Sequence, residues 1–383
     1  MEGYKKIKKI VFLTGTRADF GKLKSLITIT QNSKFFESYI FVTGMHLNEL
    51  FGYTVDEIEK SGFKNIYKHI NHLNDERMDI SLSKTIEGFS KYVALIKPDL
   101  VVVHGDRVEA LAGAIVGSLN NILVAHIEGG EISGTIDELI RHSVSKMSHI
   151  HLVSNSEAKK RLIQLGEIKD SIYVIGSPDL DLMHVDFLPK LSFVKDYYDI
   201  TFDNFSIAMF HPVTTEFEKI SEYARNFCKS LIESDDNFIL VYPNNDLGSL
   251  KIIKEIGELE NLKKIKIYPS LRFEYFLTLL SKSDYIIGNS SAGIREAPYY
   301  NIPTVDIGSR QFRRANLNSI FNSNYSVNSI IKAIKKAKSY KNKNVSNNLT
   351  HFGLGKSDKL FLRLLRTEKL WKTNKQKQFQ DLD

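Results

Sequence analysis

Apolar runs alternate with longer amphipathic segments along most of the chain. The apolar runs of the first half are KIVFLTG (9–15), YIFVTG (39–44), LVVVHGD (100–106), ILVAHIE (122–128), IHLVSN (150–155) and SIYVIGS (171–177). Intervening segments such as FGKLKSLITI and LSKTIEGFSKYVALI repeat apolar residues at helical spacing. Strands that are largely apolar and alternate with helices are typical of a parallel sheet with helices on both faces.

The second half of the chain repeats this pattern. Its apolar runs are FSIAMFHP (205–212), FILVYPN (238–244), KIKIYPS (264–270), DYIIGNS (284–290) and TVDIGS (304–309). A chain of 383 residues also exceeds what one hydrophobic core usually serves. The pattern therefore predicts an α/β protein with two Rossmann-like domains, over residues 1–180 and 181–354, followed by a C-terminal helix and tail over residues 355–383.

Polar side chains follow the predicted strands. In a doubly wound sheet, ligands bind beyond the carboxyl ends of the strands, so these positions form the candidate site. The residues are Arg17, Asp106, Arg107, Glu128, His211, Asn244, Ser290 and Ser291. We expect the strand ends of the two domains to face each other across a cleft that contains the chemistry.

TGTRADFGKL and GNSSAGIRE are candidate anion sites, because each turns from a strand into a helix and a helix N-terminus favours phosphate. Arg17 would bind phosphate in the first stretch. In the second, Ser290 and Ser291 would bind a diphosphate and Glu296 a ribose diol. The alternative in both places is an ordinary capped turn. TGTRADFGKL contains neither GxGxxG nor GxxxxGK[ST], so the standard dinucleotide and NTP sites are not indicated.

HIEGGEISGTIDELIRH places acidic residues among glycines directly after a strand. Glu128 in this stretch and Asp106 follow consecutive strands, which often neighbour each other in a sheet. Asp137 and Arg141 are four residues apart and would share a helix face. Three carboxylates beside arginines suit general acid–base catalysis. The alternatives are a row of capping acids or a less favoured metal site with His126, Glu128, His142 and Asp106 as ligands, for which no recognised ligand spacing is present.

Composition narrows the class of protein. The formal charge of +7 includes basic runs without interleaved aromatic residues, which indicates a solvated surface rather than a nucleic-acid or membrane contact. The single cysteine, Cys228, excludes an internal disulfide and fits a reducing compartment. The apolar stretch near the N-terminus is too short for a signal peptide, and no apolar run is long enough to span a membrane. We therefore expect a cytoplasmic protein.

The motifs, taken together and in order, resemble those of the hydrolysing UDP-N-acetylglucosamine 2-epimerases of bacterial sialic acid capsule synthesis. They are TGTRADFGKL, VTGMH, HGDRVEALAGA, HIEGGEISGTIDELIRHSVSKMSH, GSPDLD, FHPVTTE, YPNND and GNSSAGIREAP. The resemblance implies the B-type glycosyltransferase fold with the active site between its two domains, and a homodimer or homotetramer. It also implies conversion of the UDP sugar and water to N-acetylmannosamine and UDP, with no cofactor and no metal.

The resemblance also implies roles for individual residues. The proton carriers at the sugar would be Asp106, Glu128 and Asp137, without a division of labour among them. The substrate-binding residues would be Arg17, Lys22, Arg107, Arg141, His142, His211, Asn244, Ser290, Ser291, Glu296 and Arg310.

Several alternatives stay open at this level. A non-hydrolysing 2-epimerase usually has an HxEAGLR-type stretch where this chain has HIEGGEIS. A hydrolysing enzyme for UDP-2,4-diacetamido-2,4,6-trideoxy-glucose, on the route to legionaminic acid, would share most of the motifs. A retaining glycosyltransferase and a non-catalytic nucleotide-sugar-binding protein are the remaining possibilities on the same fold.

Overall fold

The computed structural model describes residues 7–71, 76–133, 135–311, 317–340 and 352–381. The chain divides into two compact units. Unit 1 contains the described residues up to 131, residues 137–182 and residues 352–381, and unit 2 contains residues 132–136 and the described residues from 183 to 340. The two units are described separately below.

Strands and helices alternate through both units. The strands are β1 (Lys8–Thr14), β2 (Phe36–Val42), β3 (Ile66–Lys68), β4 (Leu100–His104), β5 (Leu123–Ile127), β6 (Ile150–Val153), β7 (Ile172–Val174), β8 (Ser206–Met209), β9 (Phe238–Val241), β10 (Ile265–Tyr268), β11 (Ile286–Gly288), β12 (Thr304–Ile307) and β13 (Ile320–Ser323). The helices are α1 (Arg17–Gln31), α2 (Val55–Lys60), α3 (Met78–Ile96), α4 (Val108–Leu119), α5 (Ile136–Met147), α6 (Ser156–Gln164), α7 (Leu191–Tyr197), α8 (Ile220–Ser234), α9 (Ser249–Gly257), α10 (Phe273–Leu280), α11 (Glu296–Tyr299), α12 (Val327–Lys338), α13 (Ser357–Leu365) and α14 (Glu368–Trp371).

Each unit contains one parallel sheet. The strand order is β3-β2-β1-β4-β5-β6-β7 in unit 1 and β10-β9-β8-β11-β12-β13 in unit 2. In each sheet, the chain first adds strands toward one edge and then toward the other. The change occurs between β1 and β4 in unit 1 and between β8 and β11 in unit 2. Doubly wound sheets bind ligands at such switch points. Two Rossmann-like sheets agree with the sequence prediction. The short strands β3 and β13, at sheet edges, were not predicted.

Helices α13 and α14 belong to the core of unit 1. Phe361 of α13 is fully buried and packs edge-to-face on Phe12 of β1, with ring centroids 6.3 Å apart. Trp371 stacks on Phe36 of β2 at 6.3 Å and donates from Nε1 to the Leu365 carbonyl at 2.8 Å. The sequence alone sets residues 355–383 apart from both domains, because helical spacing shows an apolar face but not what covers that face.

Unit 2 has a separate apolar core under its sheet. Phe210 and Phe227 stack there with centroids 4.9 Å apart, and α8 and α12 cover the same face. After residue 137, the change from unit 1 to unit 2 falls between Leu182 and Met183. Among the described residues, no helix has the length and apolar character needed to cross a membrane.

Candidate functional site

The turn from β1 into α1 lies beyond the carboxyl ends of the strands of unit 1. This side of each sheet, where doubly wound proteins bind ligands, is here called the ligand edge. The Thr16 hydroxyl accepts from the Asp19 N–H at 3.1 Å and so caps α1. Arg17 is the first residue of this helix, and its Nη2 pairs with Glu57 of α2. A carboxylate therefore lies beside the arginine that the sequence proposes as a phosphate ligand, and Glu57 was not among the predicted residues.

Glu128 lies just beyond β5, buried and in a backbone conformation that L-residues rarely adopt. Its φ is +68°, a left-handed value that costs about 1–3 kcal/mol and is often found at functional sites. Lys22 Nζ lies 3.3 Å from Glu128 Oε1, His104 Nε2 lies 3.2 Å from it, and the Ser177 hydroxyl donates to it at 3.3 Å. Three donors around one oxygen favour the ionised carboxylate and fix its direction.

His104, the last residue of β4, links Glu128 to α1. Its Nδ1 lies 3.2 Å from Asp19 Oδ1. Burial by itself lowers the pKa of His104, but the charge of Glu128 and hydrogen bonds to both carboxylates outweigh burial and raise the pKa to about 9. Burial alone would raise the pKa of Asp19. The hydrogen bond and the charge of His104 outweigh burial, so the pKa of Asp19 is lowered. The ring is therefore an imidazolium between two carboxylates at neutral pH.

Asp106 lies in the turn between β4 and α4, where the buried Arg141 of α5 holds it. Arg141 Nη2 pairs with Asp106 Oδ2, and Arg141 Nη1 donates to the Glu131 carbonyl at 3.2 Å. Burial lowers the pKa of the guanidinium, but nearby carboxylates, Asp106 first among them, outweigh burial and raise it. Asp137, in the first turn of α5, contributes to the same field.

His126, at the core end of the glycine-rich stretch, is a structural residue. Its Nε2 lies 2.8 Å from the Gly105 carbonyl and its Nδ1 3.0 Å from the Ser145 hydroxyl. Since a carbonyl only accepts, Nε2 carries the proton and Nδ1 accepts from Ser145. Burial lowers the pKa of His126 to about 3, so the ring is neutral. These bonds direct His126 away from the metal-ligand role weighed for it in the sequence.

Two other predicted residues contact neighbouring acids. Arg107 Nε lies 3.4 Å from the buried Glu109 Oε2. His142 pairs with Glu138, one turn earlier on α5, at 3.6 Å, and a third of its side chain is exposed. The contact of His142 runs along the surface of its own helix rather than to Asp106.

The ligand edge of unit 2 is built around Asn289, which follows β11. Its side chain is fully buried and bonds both backbone groups of His211: Oδ1 accepts from the His211 N–H at 2.6 Å, and Nδ2 donates to the His211 carbonyl at 2.8 Å. The Asn244 N–H donates to His211 Nδ1 at 3.0 Å. Because Nδ1 is the acceptor, neutral His211 carries its proton on Nε2.

The turn after β11 requires a glycine and a cap. Gly288 has a φ of +134°, and a Cβ there would lie 1.8 Å from the Met209 carbonyl oxygen. The Ser290 hydroxyl accepts from the Ala292 N–H at 3.3 Å and caps the short 3-10 helix Ser291–Gly293. The capped turn considered as the alternative is therefore present at Ser290.

Glu296 and Arg310 complete the predicted residues of unit 2. Glu296 is buried at the start of α11. Arg310 Nη1 donates to the Asn289 carbonyl at 3.4 Å, and Gln311 Nε2 donates to the same oxygen at 2.9 Å. Asn289 thus connects His211 to Arg310. The stretch 312–316 that follows lies outside the described residues.

Comparison with known proteins assigns the family. A family model for UDP-N-acetylglucosamine 2-epimerase matches residues 28–366. The chain belongs to this family. A UDP-N-acetylglucosamine 2-epimerase from Neisseria meningitidis serogroup B is 44% identical over 98% of this chain and 100% of its own. A UDP-N,N'-diacetylbacillosamine 2-epimerase (hydrolyzing) from Legionella pneumophila is 32% identical over 94% of this chain and 96% of its own.

Similarity to a solved structure establishes the fold of this chain. The UDP-GlcNAc 2-epimerase of Methanocaldococcus jannaschii, in complex with UDP-GlcNAc and UDP, has a TM-score of 0.79 and 23% identity, covering 93% of this chain and 99% of that one. The prediction of two Rossmann-like domains with the B-type glycosyltransferase fold is confirmed.

His104, Glu57 and Asn289 were not among the site residues predicted from the sequence. One signal was present for two of them: His104 and Asn289 stand at the carboxyl ends of apolar runs, as the predicted residues do. Glu57 gave no signal, because its partner Arg17 is 40 residues earlier in the chain.

Proposed function

We propose that the protein is a hydrolysing 2-epimerase that converts UDP-N-acetylglucosamine and water to N-acetylmannosamine and UDP, as a step toward sialic acid. The observation that carries the proposal is the pair of carboxylates, Asp106 and Glu128, each paired with a buried cation at the ligand edge of unit 1. Family membership supports a UDP sugar as the substrate.

The reaction needs several proton carriers. The hydrogen on C2 of the sugar is not next to a ketone, so direct deprotonation is unfavourable. In the proposed route, the C1–O bond breaks first and UDP leaves with the bonding electrons. A carboxylate then takes the C2 proton, and the C2–H electrons form the double bond of 2-acetamidoglucal. Water finally adds at C1 while C2 receives a proton on the opposite face.

The proton carriers in this route are Asp106, Glu128 and Asp137. A carboxylate can take a proton only when it is ionised, and the buried cations Arg141 and Lys22 favour that state for Asp106 and Glu128. Imidazolium His104 adds a second positive charge beside Glu128. The same cations stabilise negative charge that develops near the sugar as UDP departs.

Most UDP contacts are assigned to unit 2, and Arg17 of unit 1 stays a proposed phosphate ligand. The Nε2–H of His211 would donate to a phosphate oxygen, since Asn244 and Asn289 fix the ring and the backbone of that residue. Ser290 and Ser291 would add the N–H groups of a helix start, and buried Glu296 would accept from the ribose diol.

A second candidate substrate is UDP-2,4-diacetamido-2,4,6-trideoxy-glucose. The Legionella pneumophila relative, whose name specifies a diacetylated sugar, favours it. Turnover of both UDP sugars at equal enzyme concentration separates the candidates. A kcat/KM at least tenfold higher for the trideoxy sugar would replace the substrate proposed above.

The test of the main proposal is a proton NMR time course with UDP-N-acetylglucosamine in deuterated water. Free N-acetylmannosamine with deuterium at C2, together with UDP, is the expected product. UDP-N-acetylmannosamine instead would identify the non-hydrolysing reaction. Binding of UDP without any turnover of either sugar would contradict an epimerase function.

A further inference from the structure

Residues 374–380, here called the strap, lie against the end of α5 that is opposite Asp137. Lys377 is the main anchor of this segment. Its Nζ donates to the carbonyls of Ser145, Lys146 and Ser148 at 3.0, 2.8 and 2.7 Å. These carbonyls stand at the C-terminal end of α5, where a helix leaves oxygens without internal partners and favours a cation.

The buried Glu167 fixes the Lys377 ammonium from the other side. Glu167 Oε2 lies 2.5 Å from Lys377 Nζ and 2.9 Å from His151 Nε2, and Glu167 Oε1 lies 3.1 Å from Lys146 Nζ. Burial lowers the pKa of Lys377, and Glu167 opposes this effect. An ammonium placed in this way holds the end of α5 to a rigid acid of the domain interior.

Further contacts hold the rest of the strap in place. The Lys375 carbonyl lies 3.1 Å from His149 Nε2, and the Gln380 N–H donates to the Gly166 carbonyl at 3.1 Å. The Phe379 ring lies against Gly166, and Lys146 Nζ is 4.6 Å from its centroid. The strap is therefore bound on both sides of Lys377.

Helix α5 makes two connections to the Gly105–Asp106 turn. Arg141 pairs directly with Asp106. One turn later on the same helix, the Ser145 hydroxyl bonds His126, and His126 donates to the Gly105 carbonyl. The carbonyl of Ser145 is also one of the oxygens that Lys377 contacts. A shift of α5 along its axis would therefore move both connections, and with them the Asp106 carboxylate.

We propose that Lys377 is a positioning residue for the reaction: by fixing α5 at its C-terminal end, it sets the place of the Asp106 carboxylate. This inference rests on the function proposed above. The groups that Lys377 contacts, at the end of α5 and at Glu167, belong to unit 1, so Lys377 affects proton transfer at the sugar and leaves UDP binding, which is assigned mainly to unit 2, unchanged.

The test is Lys377→Met, which keeps the length of the side chain and removes its charge. We expect kcat for UDP-N-acetylglucosamine to fall roughly 10- to 100-fold, since displacements near 1 Å cost rates of that order. KM and the Kd of UDP should change less than twofold. Lys377→Arg should restore part of kcat, because a guanidinium also donates to helix carbonyls.

Lys375→Met is the matched control, because it makes the same change two residues away on an exposed side chain whose strap contact is through the backbone. We expect wild-type kinetics for it. Phe379→Ala is a milder variant that loosens the strap without removing the buried charge, and it should lower kcat with KM unchanged, by less than Lys377→Met does.

Three outcomes would overturn the inference. One is Lys377→Met with a lower melting temperature but wild-type kcat, measured where the variant is fully folded. Another is a parallel loss of UDP affinity. If Lys377→Met does not fold, wild-type kcat for Phe379→Ala would count against the inference in the same way. A wild-type enzyme that does not turn over the sugar would contradict the proposed function itself, which is a separate result.

Discussion

At the strand ends of unit 1, charges alternate. Asp19, His104 and Glu128 form a largely buried row that Lys22 extends. At the strand ends of unit 2, the corresponding turn is held by hydrogen bonds between the side-chain amide of Asn289 and the backbone of His211. Both sets stand at the switch point of a parallel sheet, so the same topology presents two different arrangements of side chains. Alternating charge suits proton transfer, whereas fixed neutral donors suit the binding of a diphosphate.

The largest expected effect comes from removing the Asp106 carboxylate at the strand ends of unit 1. Asp106→Asn should lower kcat by about 10²- to 10⁴-fold, because it removes a proton carrier, while the Kd of UDP stays within twofold of wild type. Steady-state kinetics and calorimetric titration with UDP measure the two quantities. Asp186→Asn, an exposed acid of unit 2, is the control. Unchanged kcat in Asp106→Asn would remove Asp106 from the proposed proton carriers.

The next effect tests whether α13 belongs to unit 1. Phe361→Ala should lower the free energy of unfolding by about 3–5 kcal/mol, as expected for a large side chain removed from a core. Phe361 and Phe227 are both fully buried, so Phe227→Ala in the core of unit 2 should cost a similar amount. Urea unfolding measures both. Phe187→Ala, with 72% of the residue exposed, is the control. A loss below about 1 kcal/mol for Phe361→Ala would contradict this packing.

A smaller effect concerns His211, at the strand ends of unit 2. His211→Ala should weaken UDP binding by about 10- to 100-fold, since a hydrogen bond to a charged group contributes about 1.5–3 kcal/mol, and turnover should also slow. The matched control is His184→Ala in the same unit, whose side chain is 56% exposed. Wild-type affinity for UDP in His211→Ala would remove His211 from the diphosphate site.

The smallest effect depends on pH and concerns His104. Its pKa of about 9 in the folded protein exceeds the ordinary value, 6.5. The resulting stability is complete below pH 6.5, where both states are protonated, and is lost as pH rises through 9. His104→Gln should therefore destabilise the protein more at pH 6.5 than at pH 9.5, as measured by urea unfolding. For His142→Gln, the loss in the free energy of unfolding should not become smaller between pH 6.5 and pH 9.5, because burial lowers the pKa of His142.

The residue pattern predicted the two sheets because strand and helix periods are local properties. It missed β3 and β13 since each contributes only three or four residues at a sheet edge, too few for a period to be visible. The candidate site rests on polar residues that follow strands, which the sequence shows directly. The Asp19–His104 contact joins positions 85 residues apart, and the Lys377 anchor joins positions more than 200 apart, so no spacing in the sequence indicates either.

The packing of α13 on unit 1 also determines the order in which the two units become complete during synthesis. A nascent chain that has emerged as far as residue 340 contains every strand described in unit 2 but lacks Phe361, Leu364 and Leu365 of the unit 1 core. The unit whose synthesis begins first is therefore the last to close. Until then, the apolar surface that α13 covers is open to water, at the stage when a chaperone would bind it.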